Sequence, residues 1–244
     1  MDLFSFFSRS PENQIARARK KVKEPHGDPA VRMSAAQRLL EMKSPEALLA
    51  LLDRFTINVS PSTRDEQEKL ETLSWIVKTG DEAVEPLIKF LKQERQIYWP
   101  VKALRKILSE DEFSQRIGQV LRFHWENPPA SSDPKSQLIR LLEDVRSPQL
   151  LKNVTLFLED EADDTRLASL DYLFSYPEEE TRPAILQCYL DSEDRPRVRG
   201  YILEVLSERQ WSIRGFRPKI EESLPVGYTI SRDGKIRSVG QIHT

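Results

Sequence analysis

An all-α fold, a right-handed α-solenoid of about six helical hairpins with a small C-terminal β-hairpin, is what this sequence predicts. Three observations predict it. Apolar residues recur with helical period along most of the chain. That pattern is interrupted again and again by Ser-Pro, Gly-Asp or Asp-rich punctuation. The interval between interruptions is about that of one helical hairpin, a unit too small to bury its apolar face without neighbours. Composition agrees, since 244 residues with only 8 Gly and 31% charged residues suit helices better than a sandwich or barrel.

The first hairpin shows the plan. Asp28 can cap a helix and Pro29 fits its first turn. Val31, Ala35, Leu39 and Met42 then form a stripe of helical period. Ser44-Pro45 stops this helix and starts a second, whose broad apolar face is Leu48, Leu49, Leu51 and Leu52. Further pairs are expected near 64–78 and 81–95 about Thr79-Gly80-Asp81, and near 97–108 and 111–125 about Ser109-Glu110-Asp111. Pairs near 134–145 and 148–159, and near 164–175 and 178–190, flank Ser147-Pro148 and Tyr176-Pro177. The sixth, near 196–208 and 213–224, is the least regular, being interrupted by Trp211, Gly215 and Pro218. Repeat starts at Asp28, Asp65, Ile97, Asp133, Asp164 and Asp194 are spaced by 37, 32, 36, 31 and 30 residues.

The runs DPAVRMSAAQRLL, LFLEDEADDTRLASLDYL and CYLDSEDRPRVRGYILEVL resemble HEAT repeats. In that family a Leu-rich second helix ends in Leu-x-Asp, and an Asp-rich turn leads to Val-Arg at the start of the next helix. The resemblance covers residues 28 to 224. It implies that Arg32, Asp160, Arg166, Asp191 and Arg199 form a structural ladder between successive repeats, not a catalytic set. The third pair departs from the pattern, because Trp99-Pro100-Val101-Lys102 replaces the Asp turn and Arg.

Three segments follow: an N-terminal helical arm or cap at 1–27, the repeat array at 28–224, and a hairpin and tail at 225–244. Ser10-Pro11-Glu12 opens a helix to about Glu24 with a thin stripe of Ile15, Ala18 and Val22. Before it, Leu3, Phe4, Phe6 and Phe7 either cover the open end of the first hairpin or, with the basic run Arg17–Lys23, form a weak membrane-surface anchor. At the other end, Asp233-Gly234 favours a two-residue type I′ turn between two short strands. That hairpin caps the last helices or offers an edge to a partner strand.

Chemistry is sparse. His26, His124 and His243 have no second metal-ligand type at zinc spacing, and the chain carries no Walker loop, nucleophile elbow or dinucleotide fingerprint. No catalytic residue, metal or cofactor is expected. Cys188 sits among Ile185, Leu186, Tyr189 and Leu190 as a core thiol, and one cysteine makes no intramolecular disulfide, which fits a reducing, cytoplasmic setting. No stretch approaches the ~18 apolar residues that span a bilayer.

Charge is balanced overall, 37 bases against 39 acids, which argues against a dedicated nucleic-acid binder. It is uneven locally. Glu143 to Asp194 holds fourteen acids and four bases, while residues 1–27 and 212–244 each hold six bases and three acids. The acidic stretch is ordinary solvated surface or a ridge that steers a basic protein. Lys89, Lys92, Arg116 and Arg122 fall on second helices, which line the groove in HEAT-like arrays. They are solvated surface or a phosphate-binding alternative. Tyr98, Trp99 and Trp125, beside Arg122, fall at one edge of the third pair, where they plug an irregular joint or form a protein-binding hot spot. The function expected is a non-catalytic protein-binding scaffold or adaptor. Nucleic-acid binding and, by analogy to bilin lyases with HEAT-like repeats, an accessory enzyme are the alternatives.

Overall fold

The computed structural model describes residues 10–128, 131 and 133–239. Leu3, Phe4, Phe6, Phe7, Pro129 and His243 lie outside the described residues. The rest is mostly helical with one small antiparallel sheet, and divides into two units, one up to Leu141 and one from Leu142.

The first unit contains α1 (Pro11–Val22), α2 (Pro29–Glu41), α3 (Pro45–Leu52), α4 (Ser62–Thr79), α5 (Val84–Gln93), α6 (Tyr98–Ile107), α7 (Glu110–Glu126) and α8 (Asp133–Arg140). Its starts obey local chemistry. The Ser10 and Ser44 hydroxyls accept the amides of Asn13 and Ala47, and the Asp28 carboxylate accepts those of Ala30 and Val31. In each case Pro occupies the first turn, where its missing N–H costs nothing. Ser109 and Glu112 close a reciprocal capping box on α7. Asp81 does not cap α5 directly. It lies in a 3₁₀ turn, Gly80–Ala83, entered through Gly80 at φ +67°.

Helices pack on near neighbours in the chain. Here α1 packs on α2 and α3, α2 on α3 and α4, α3 on α5, α4 on α6, α5 on α6 and α7, and α6 on α7 and α8. Leu39, Leu51, Leu52, Phe55, Ile76, Leu87, Phe90, Leu104, Ile117 and Leu121 are buried among these helices. The α2 stripe differs from the expectation at its first position. Val31 is 48% exposed while Arg32 is buried, because a fixed carboxylate, Glu68 of α4, awaits the Arg32 guanidinium. The helix expected to reach 145 ends at Arg140 in a turn over 141–144.

The second unit contains α9 (Pro148–Leu156), α10 (Asp163–Phe174), α11 (Glu178–Leu190), α12 (Pro196–Arg209), α13 (Arg217–Glu222), β1 (Tyr228–Ile230) and β2 (Ile236–Ser238). Within it α10 packs on α9, α11 and α12. Although Ser147-Pro148 repeats the first break, no side-chain cap forms there. The Ser147 amide donates instead to the Tyr176 hydroxyl at 3.1 Å. The last helix is only six residues long, since Trp211 and Ile213 enter the core in irregular backbone and Gly215 turns the chain at φ +91°.

The terminal hairpin is present, but its turn is not the two-residue one expected. Ile230 pairs with Ile236, so five residues form the loop, and Asp233 is not among the residues with positive φ, as a type I′ turn would require. Ser231 closes the loop through its hydroxyl, which accepts the Lys235 amide, and this register buries Ile236 completely. The hairpin packs on α12, and the Gly234 carbonyl accepts the Ile213 amide.

Candidate functional site

The third pair builds a distinctive edge. Trp99, at the start of α6, is half-buried and stacks on Phe55 just after α3, with ring centroids 6.1 Å apart and planes 12° apart. Tyr98 meets Trp99 edge-to-face at 5.2 Å and stays exposed. Lys102, one turn on, places its ammonium 4.9 Å from the Tyr98 ring centroid and 5.3 Å from that of Trp99, and donates to the Tyr98 hydroxyl at 2.9 Å. This lysine holds the position where the repeat pattern has Arg. Sequence reasoning noted the replacement without assigning it a role.

The end of α7 closes against the end of α5. Lys92 sits 5.1 Å over the Phe123 ring, and the His124 Nε2–H donates to the Leu91 carbonyl at 3.0 Å. Trp125 is half-buried beside them. The aromatic residues at 98–99 thus pack toward Phe55, and Phe123 and His124 toward Lys92 and Leu91.

The basic residues on second helices do not form a bare cationic groove. Arg116 is in an ion pair with Glu85, and Arg122 donates to Glu126 at 2.6 Å. Lys92 covers Phe123, and Lys89 borders a shallow pocket of about 200 Å³ shared with Glu46 and Glu85. A carboxylate stands beside most of these cations, so phosphate loses its electrostatic advantage there.

Of the ladder residues, Arg32, Asp160 and Arg166 are buried, Arg199 is half-buried and Asp191 is exposed. Arg166 donates through Nε to the Asp160 carbonyl at 2.6 Å and through a terminal nitrogen to the Ser192 hydroxyl at 3.0 Å. The Asp160 carboxylate accepts the Ala162 amide at 3.0 Å. Asp191 accepts from Gln187, and Arg199 donates to the Tyr189 hydroxyl and the Ser223 carbonyl while stacking 4.3 Å over the Tyr189 ring. Arg32 is held by a carboxylate, Glu68 of α4.

That last contact leads to a cluster that sequence reasoning missed. Glu68 accepts two hydrogen bonds from Arg32, at 2.7 and 2.8 Å, and one from Arg54 at 3.0 Å. Arg54 also reaches Asp65 at 2.8 Å, and Asp65 accepts from Lys69 at 2.7 Å. Burial would push the Glu68 and Asp65 carboxyls up. The hydrogen bonds and charges of Arg32, Arg54 and Lys69 outweigh it and hold both below their ordinary values. The network is fully engaged internally and ties α2 to α4. The only signal for it in the sequence was polar residues at buried helical positions, easily taken for surface.

His124 is buried, with Nε2 as donor, so Nδ1 carries an unshared pair that has no partner. Burial lowers its pKa, the Leu91 bond partly opposes this, and the charges of Lys135 and Lys92 lower it further. Cys188 is a buried thiol that donates to the Leu158 carbonyl at 3.6 Å, and burial pushes its pKa up. Both sit in packing positions. Among the described residues no group of His, Cys, Asp or Glu is placed to hold a metal ion, and no helix is long and apolar enough to cross a membrane.

Part of the acidic stretch finds cations just beyond its end. Asp163 pairs with Arg195 at 2.7 Å and Asp164 with Arg197 at 2.9 Å. The surplus counted over 143–194 is thus partly an effect of where that window closes. No family model matches the chain, and neither the curated proteins nor the solved structures provide a match.

Proposed function

We propose that the chain is a non-catalytic protein-binding scaffold, with the helices of each unit forming turns of a HEAT-like α-solenoid. Packing of α1 on α2 and α3, of α2 on α3 and α4, of α5 on α6 and α7, and of α6 on α7 and α8 supports the repeat reading. The observation that carries the binding reading is the Tyr98–Trp99–Lys102 edge. A rigid aromatic base on Phe55 presents an exposed tyrosine and a cation together, the residue chemistry that dominates protein–protein hot spots. Trp125 and Arg122 extend the same edge. The partner is a protein, and a single cysteine, Cys188, buried and without a disulfide, suits a reducing cytoplasm.

Affinity capture from native lysate, compared between wild type, Tyr98→Ala and Lys102→Glu, tests this reading. Tyr98 is exposed and Lys102 half-buried, so melting should move little while a specific partner is lost. Full capture of every wild-type partner by a stably folded double variant would refute the edge as a binding site.

A further inference from the structure

A second surface lies far along the chain from the Tyr98 edge. Between α1 and α2 runs a groove of about 600 Å³, within the size range of ligand clefts. Its floor is apolar: Ala18 and Ala35 are buried and Met42 is half-buried. Its rim is cationic: Arg17, Lys20 and Lys21 from α1 and Arg38 from α2, all exposed, against a single carboxylate, Glu24.

Helical spacing sorts the bases of α1 into two sets. Arg19 and Lys23, one turn apart, face the other way and both pair with Asp53. Arg17, Lys20 and Lys21 stand at i, i+3 and i+4 on the groove side. Among the described residues, neither they nor Arg38 are held in an ion pair. Several other cations of the unit are answered by carboxylates, as at Arg32, Arg54, Lys69 and Arg116. Here four cations remain unanswered around an apolar floor.

We propose that this groove docks an acidic peptide segment of a partner protein, one carrying at least one apolar side chain among its carboxylates. The two halves of the site select the occupant together. A nucleic-acid backbone could satisfy the rim, but would leave the floor uncovered. A bilayer surface needs apolar groups that project outward, whereas Ala18 and Ala35 lie at the bottom of a concavity. A peptide with carboxylates for the rim and an aliphatic or aromatic side chain for the floor satisfies both.

The test is selection from a phage-displayed library of random dodecapeptides against the full chain, followed by anisotropy titration of the selected peptides. Acidic residues flanking an apolar one should dominate the selected clones. Reversing the rim (Arg17→Glu, Lys21→Glu and Arg38→Glu together) should weaken their binding about tenfold or more, and Met42→Asp should weaken it with the rim intact. All the substituted side chains are exposed or half-buried, and melting curves check that the variants fold. Tyr98→Ala should leave this binding unchanged, which separates failure here from failure of the Tyr98 edge. The proposal is overturned if no acidic clones emerge, or if they bind the reversed variant as well as wild type. It is equally overturned if a single-stranded oligonucleotide, phosphatidylserine vesicles or a second copy of this chain uses the same cations while the peptides do not bind.

Discussion

Glu68 shows how one side chain can hold two helices. It is buried and accepts from both Arg32 and Arg54, so Glu68→Gln would leave the buried Arg32 guanidinium without its carboxylate and Arg54 with Asp65 alone. A loss of ~3–5 kcal/mol is expected by urea denaturation, the usual cost of removing one partner from a buried pair. The exposed pair Asp164–Arg197, also held at 2.9 Å, should cost no more than ~1 kcal/mol when Arg197 becomes Ala. The Glu68 and Asp65 carboxyls are held low in the fold, so the unfolded chain takes up protons first as pH drops. Their contribution is complete above the ordinary carboxylate range and is lost as pH falls through the folded values. His124 acts at milder acidity. Its folded pKa is depressed, so the unfolded state binds the proton first once pH falls below about 6.5. The urea midpoint should therefore fall between pH 7.5 and 5.5, and His124→Gln should flatten that slope. An unchanged slope in the variant would show that His124 is not its source.

Helix ends and helix faces carry different costs. Gly80 closes α4 at φ +67° and ψ −137°, and a Cβ there would meet nothing within 4 Å. Gly80→Ala thus isolates backbone strain from crowding, and ~1–3 kcal/mol is expected. Leu173 on α10 is fully buried, and truncation to Ala should cost ~2–5 kcal/mol through lost transfer energy plus the cavity left behind. Thermal or denaturant melts of the two variants would check both values. The caps at Asp28 and Ser44 were legible from residue type and spacing alone, because a cap is a contact between neighbours in sequence. The five-residue loop of the terminal hairpin was not. Asp-Gly favours a tight turn locally, but burying Ile236 against α12 sets the register and lengthens the loop.

For the chain taken entire, far-UV circular dichroism should be dominated by helix, and EDTA should leave the melt unchanged. A sheet-rich spectrum or a large chelator effect would contradict the helical, metal-free reading. Periodicity and punctuation determined the helical class, the approximate order of the helices and the terminal hairpin, since these depend on interactions within a few residues. They also marked the third pair as irregular from its Tyr-Trp-Pro start. Tertiary structure alone decided which polar residues go inside. Arg32 replaces Val31 in the core because Glu68 lies thirty-six residues away in sequence yet 2.7 Å away in space. It likewise separated the bases of α1, giving Arg19 and Lys23 to Asp53 and leaving Arg17, Lys20 and Lys21 on the groove. A charge in sequence has no address until another helix supplies or withholds its counterion, and so the cationic groove between α1 and α2 emerges only from packing, whereas the aromatic edge at Tyr98 and Trp99 was legible from residue type.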